Sequence, residues 1–309
     1  RDQPRSRGLG DVYKRQVISA AILWSLDGYI RQNLSTLPSF FIISLEHIIG
    51  AIIFLPILIK GWNEIVKIQQ RGWISVLWIS ICGGILGTFF YTKALSYVGY
   101  INLSVVVLLQ KFQPIFAIAL ASIILKEHIT KRFLILALSA IVGGYLITFG
   151  NNSMADWDDK TIIAALLALL AAFSWGSSTV LGKHALKQIS FMTLTSLRLS
   201  ITGAITLFVI ISTGQYELIP EVSANEWGYI LLIVISTGSL ALFIYYYGLK
   251  HLPASHVTLY ELFWPLSAFA IDWIFHGYIM TFYQFGGAII LLGSIVLLSN
   301  EKIVDNNLK

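Results

Sequence analysis

LLQKFQPIFAIALASIILKE (108–127) and LYELFWPLSAFAIDWI (259–274) decide the fold. Both are long apolar runs, and each sets a polar side chain, Gln110 or Glu261, four positions ahead of a proline, Pro114 or Pro265. The two prolines lie 151 positions apart, and so do Trp24 and Trp175 in two further apolar runs. Internal similarity at so long a spacing marks two copies of one unit, a recurring plan among secondary transporters.

Working outward from these runs, ten apolar stretches fill the chain, at about 17–36, 39–59, 73–97, 101–125, 132–150, 161–186, 190–212, 227–250, 254–276 and 281–299. Most are close to the roughly 20 residues that cross a bilayer as a helix. The expected fold is an all-α integral membrane protein with ten transmembrane helices in two five-helix repeats, 17–150 and 161–300. An odd number of spans per copy forces the copies to insert with opposite orientation. The chain is 56% hydrophobic and 12% charged, with mean hydropathy +0.75, whereas soluble domains carry about 25% charged residues.

The net charge of +5 does not point to nucleic acid, because the basic residues follow membrane topology. With the N-terminus cytoplasmic, inner loops and helix ends hold Lys60, Lys67, Arg71, Lys126, Lys131, Arg132, Lys183, Lys187, Lys250, Lys302 and Lys309, and outer loops only Lys160. By the positive-inside rule both termini are expected in the cytoplasm, the protein lying in the cell's inner membrane. Residues 1–16 (RDQPRSRGLGDVYKRQ) carry five of the 21 Lys and Arg residues and read as a basic tail foreign to the rest, resembling a translated adapter end. They are set apart from the fold. The single cysteine, Cys82, excludes an internal disulfide or cysteine metal cluster, and the six histidines show no metal spacing. No metal and no cofactor is expected, and without a Walker A sequence ATP does not drive the protein directly.

Read in order, the first copy gives AILWSLDGYI, LEHIIGAIIFLPILI, FFYTKALSYVG, LLQKFQPIFAIALASIILKE and AIVGGYLITFG. The second gives AAFSWGSSTVLGKHAL, TSLRLSITGAITLFVI, YYYGLKHLPASH, LYELFWPLSAFAIDWI and GGAIILLGSIVLL. This ordered set resembles the EamA-type branch of the drug/metabolite transporter superfamily from Val17 to about Asn300. The resemblance implies a ten-helix carrier of small organic solutes with a cavity between the repeats. It also implies an arginine in the second helix of each copy; here copy two has Arg198 and copy one His47. The glutamate common after the fourth helix is present as Glu127, while copy two reads His276-Gly277-Tyr278.

A charge at the bilayer centre costs about 2.5–3.5 kcal/mol, so each needs a partner, a cavity or an escape route. The deep ones are Asp27, Glu46, His47, Lys111, Arg198 and Glu261; Arg31, Lys93 and Lys183 lie nearer helix ends, where long stems snorkel. Asp27 and Glu261 are candidate coupling carboxyls, since burial favours the protonated form; an ion pair of Asp27 with Arg31 or Lys111 is the structural alternative. Gln110 and Lys111 before Pro114, and Glu261 before Pro265, suggest cavity-side hinges, because proline frees a carbonyl of the preceding turn. His47 and Arg198 are candidate gate-side groups for acidic partners or an anionic substrate group. Trp24, Tyr91, Trp175, Tyr245, Tyr246, Tyr260 and Trp264 supply candidate substrate walls, with His256, Tyr260 and Trp264 on one face of a continuous helix. The glycines at 83, 87, 143, 144, 286, 287 and 293 are assigned to helix packing.

These features point to a secondary carrier of a small metabolite, such as an amino acid or related compound. It would be an exporter or exchanger working by alternating access, with protons as one candidate for coupling. A passive facilitator or channel-like uniporter is the alternative. A membrane enzyme would need clustered histidines and acids that the sequence lacks. A monomer suffices to enclose a cavity with ten helices, and a homodimer is the other option.

Overall fold

The computed structural model describes residues 3–34, 36–97, 109–110, 112–149, 159–276, 279 and 281–299. Among them every regular element is helical. The chain begins with α1 (Gln3–Arg31), α2 (Ser39–Lys60), the short α3 (Trp62–Ile65), α4 (Gln70–Trp78) and α5 (Gly87–Tyr97). It continues with α6 (Gln113–Leu120), α7 (Lys131–Phe149), α8 (Asp159–Ala185), α9 (Phe191–Ser212), α10 (Ala224–Ile233) and α11 (Ser239–His251). The last three are α12 (Ala254–Tyr260), α13 (Phe263–His276) and α14 (Phe282–Ser299). Helix α1 therefore starts at Gln3, inside the tail set apart on sequence, and the Tyr13 ring stacks on His251 with centroids 3.9 Å apart.

Five rods among the described residues are long and apolar enough to cross a bilayer: Ser39–Lys60, Gln70–Ala94, Ile162–Ala185, Phe191–Ser212 and Ala224–His251. Gln113–Leu125 and Phe282–Leu298 are shorter apolar helices. Their surfaces expose Phe208, Ile52, Ile123 and Ile59, an apolar exterior that suits lipid and not water. The chain is a multi-pass membrane protein.

Two of these rods are interrupted. A π-helical segment, Ile79–Leu86, joins α4 to α5, and another, Val234–Gly238, joins α10 to α11. A π turn inserts a residue into the α ladder and recurs at functional sites. A third, Ala121–Leu125, closes α6 and ends at Lys126 in the left-handed region, φ 58°. The sequence reading of 73–97 as an uninterrupted span missed the first of these. The run Ile79–Leu86 is uniformly apolar apart from Ser80, Cys82 and its glycines, so its periodicity carries no mark of the change.

Polar ends fix the helix starts. Ser190 caps α9, its hydroxyl accepting from the Thr193 amide at 3.2 Å, and Ser223 with Glu226 forms a capping box on α10. The Ser190 amide donates to Glu64 Oε2 at 2.6 Å, tying the α3 turn to α9. Partial burial pushes the Glu64 carboxyl up. The Ser190 amide, the Ser190 and Thr193 hydroxyls and nearby Lys250 outweigh it, so the group lies below the usual carboxylate range.

The sequence reading assigned all seven glycines to helix packing, and the structure shows tight contacts at some of them and open space at others. A Cβ on Gly143 would meet the Gly287 carbonyl at 2.8 Å, and one on Gly287 would meet Leu146 Cβ at 2.6 Å and the Gly143 carbonyl at 2.8 Å. Helices α7 and α14 therefore touch backbone to backbone. A methyl added at Gly144, Gly286 or Gly293 would instead meet nothing within 4 Å, so none of these three needs to be glycine for packing. Gly287→Ala is expected to destabilise by about 1–3 kcal/mol, the usual cost of overpacking, while Gly286→Ala stays neutral or gains slightly from helix propensity. Thermal unfolding of the two variants in detergent checks this; equal midpoints would remove the seam.

Candidate functional site

The breaks ahead of the two prolines organise the centre. Pro114 lies in the first turn of α6, and Pro265 in the first turn of α13. There the missing N–H is one of the helix's orphan donors anyway. The prolines thus begin new helical segments, whereas the sequence reading placed them inside continuous spans. At the second break the Trp264 amide bonds the Glu261 carbonyl at 3.0 Å, a tighter i to i−3 closure. This break separates Trp264 on α13 from His256 and Tyr260 on α12, so the three do not share one uninterrupted helix as the four-residue spacing suggested.

Glu261 is left at the break with its carboxyl among neutral donors. Tyr245 of α11 donates to its Oε1 at 2.7 Å, and Gln113 Nε2 of α6 to its Oε2 at 2.7 Å. Thr179 of α8 lies 3.5 Å from Oε1 and 2.8 Å from the Tyr245 hydroxyl. Gln110 donates in turn to Gln113 Oε1 at 3.3 Å. Among the described residues no salt bridge reaches Glu261. Lys111 lies outside the described residues.

Two aromatic pairs share residues or helices with this network. Trp24 of α1 packs on Tyr245, centroids 5.1 Å apart, and Trp175 of α8 on Tyr91 of α5, 5.6 Å apart. The Trp175 indole sits over Gly87, whose Cβ would meet its Nε1 at 2.5 Å. Gly176 lets the Gln113 carbonyl approach α8, 2.7 Å from where a Cβ would stand. Tyr260 is fully buried and Trp264 partly so.

Asp27 stands elsewhere. Its carboxylate is paired with Arg31 one turn along α1 and accepts from Thr237 Oγ1, in the π segment before α11, at 2.6 Å. Arg31 Nη2 donates to Glu46 Oε2 of α2 at 2.8 Å. The reading of Arg31 as a snorkelling helix-end cation is thereby corrected: it is shared by two acids. Asp27, expected as a coupling carboxyl, makes the Arg31 ion pair that was weighed beside that role. Lys183 likewise does more than snorkel, donating to the Leu249 and Lys250 carbonyls at the end of α11. Lys93 lies over the Tyr97 ring, 5.4 Å from its centroid.

His47 and Arg198 sit on α2 and α9, which pack against each other, with Gly203 against the His47 carbonyl. His47 Nδ1 lies 2.8 Å from the Ile43 carbonyl, and Arg198 Nη1 donates to Tyr246 at 2.7 Å. Neither touches Glu261. Glu127 caps α12, accepting from the amides of Ala254 and Ser255 at 2.7 and 3.0 Å and from the Ser255 hydroxyl at 2.5 Å. Sequence reasoning missed Gln113, Thr179 and Thr237. Gln113 abuts Pro114, and Thr179 lies four residues after Trp175 on the same helix face, so those two had a usable signal. Thr237 had none.

The arrangement is a polar, hydrogen-bonded centre with aromatic pairs beside it, where α6, α8 and α11 meet the break between α12 and α13. It suits holding a flat solute and a proton, and among the described residues it offers no nucleophile paired with a base. The model of the EamA-like transporter family matches residues 16–149 and again 162–300. The riboflavin transporter ImpX of Fusobacterium nucleatum subsp. nucleatum is 35% identical over 289 residues, covering 92% of this chain and 96% of that protein. The uncharacterized transporter YyaM of Bacillus subtilis is 26% identical, covering 84% and 85%. A riboflavin transporter of Brucella anthropi is 23% identical over 148 residues, 48% of each chain. One solved crystal structure aligns with TM-score 0.73 at 15% identity, over 92% of this chain and 95% of that one, a likeness of fold. The chain is a transporter and not an enzyme, and it belongs to the EamA-like transporter family.

Proposed function

We propose that this protein is a secondary carrier of riboflavin or a closely related flat heteroaromatic metabolite, working by alternating access between two inverted five-helix repeats in the cell membrane. The observation that carries the reading is the pair of aromatic contacts, Trp24 with Tyr245 and Trp175 with Tyr91, one joined to the Glu261–Gln113–Thr179 network through Tyr245 and the other sharing α8 with Thr179. Two ring walls suit a planar ring system by offset stacking, and amide and carboxyl groups between them suit its polar edge. The names of the relatives support the flavin over the amino acid that the sequence alone suggested.

The inverted repeat is supported by how the helices pair. α1 packs on α11 and α13, and α8 packs on α5 and α6, which is the same pattern with the halves exchanged. α2 pairs with α9 and α7 with α14, so equivalent helices meet across the middle. The π segments also correspond, since 83–86 and 234–237 stand at the 151-residue spacing. The charge distribution supports cytoplasmic termini. Glu261, whose partners among the described residues are all neutral, is the proton-carrying group in this reading, because a carboxylate at membrane depth without a cation beside it is costly.

Counterflow in proteoliposomes tests the proposal. Preloading with unlabelled riboflavin is expected to drive saturable uptake of labelled riboflavin. No flavin counterflow, with counterflow of an amino acid instead, would reject the substrate; unsaturable flux would mark a pore.

A further inference from the structure

Among the described residues no carboxylate lies within ion-pair distance of Arg198, whereas Arg31 is shared by two. The hydrogen-bond partner that Arg198 does have is neutral: Nη1 donates to the Tyr246 hydroxyl at 2.7 Å, with the guanidinium carbon 5.7 Å from that ring's centroid. Nε is buried with no partner among the described residues. Tyr246 is 1% exposed, and its hydroxyl spends a lone pair on Arg198, so its own proton stays available for an acceptor. Nη2 and Ser178 Oγ converge on Gly83, 3.0 and 2.8 Å from where its Cβ would stand. Unspent donors on a cation in a low-dielectric core are costly unless negative charge joins them. A guanidinium fork matches phosphate and carboxylate oxygens.

We propose that Arg198 and Tyr246 form an anion subsite that takes a phosphate or carboxylate group carried by the solute. Its position ties it to the aromatic site, and the inference rests on the carrier reading above. Tyr246 follows Tyr245, the donor to Glu261, with the two rings 5.7 Å apart. Ser178 precedes Thr179 in the same way on α8. A solute held against Tyr245 would have Tyr246, the partner of Arg198, as the next residue along α11. The carrier would then favour an acidic derivative of its planar solute over the neutral one.

Binding to the purified, detergent-solubilised full chain tests this, read as thermal stabilisation. The probes are riboflavin, riboflavin bearing a phosphate monoester on its side chain, and inorganic phosphate alone. The phosphorylated flavin is expected to bind about tenfold tighter than riboflavin, as one charge-assisted contact supplies. Arg198→Gln is expected to remove that preference, the two flavins then binding alike. Tyr246→Phe, which keeps ring and charge, is expected to weaken it severalfold, and Arg198→Lys to retain part of it. Equal binding of both flavins to the wild type overturns the subsite, as does an undiminished preference in Arg198→Gln. Arg198-dependent stabilisation by inorganic phosphate with no preference between flavins makes the ligand a free ion and overturns the solute-borne group. If neither flavin binds but other phosphorylated or carboxylated compounds do so through Arg198, the flavin reading fails and the subsite stands.

Discussion

Glu261→Gln is expected to abolish uphill, pH-driven accumulation of the solute while leaving exchange down its own gradient. Glutamine keeps the length of the side chain and can accept from Tyr245, so the network around Gln113 and Thr179 persists. What it cannot do is take up and release a proton. With one proton coupled per solute, a pH step of one unit supports up to about tenfold accumulation. The variant should bring that ratio to one. Asp27→Asn serves as the contrast, because Asp27 is committed to Arg31 and Thr237. Accumulation intact in Glu261→Gln and lost in Asp27→Asn would reverse the assignment.

The second large effect belongs to Arg31. Replacing it by leucine leaves Glu46, whose side chain is 7% exposed, and Asp27 without their shared cation. Breaking a buried pair costs about 3–5 kcal/mol, and the lower end applies because a third of the Arg31 side chain meets solvent. A fall of about 3 kcal/mol in unfolding free energy is therefore expected. The triple variant Asp27→Asn, Arg31→Leu, Glu46→Gln should recover most of it, since no charge is then left uncompensated. Denaturant unfolding of the two variants decides the matter; a single Arg31→Leu as stable as wild type would show that the network holds nothing together.

Much of the architecture was legible because lipid imposes a simple code. Long apolar runs and repeated Trp and Pro positions are visible without any side-chain contact. The breaks just ahead of Gln113 and at Glu261 could be anticipated from Pro114 and Pro265, although the placement of the prolines at the start of new helices could not. Partner choice was hidden. Sequence offered the Asp27–Arg31 pair only as an alternative and did not join Glu46 to it, whereas α2 brings Glu46 to the same cation. That depends on which faces of α1 and α2 meet, and an all-round apolar helix does not declare its face. Tyr245 was readable as an aromatic wall, and its donation to Glu261 was not, since it requires α11 and the end of α12 to cross at that depth.

The bare contact between Gly143 and Gly287 has a mechanical corollary. Side chains can slip past one another by changing rotamer, but two backbones pressed together have no such slack. α7 and α14 are therefore expected to travel as a single stave, and in the carrier proposed above the bending that re-exposes the solute would fall to the rods already interrupted by π turns and prolines.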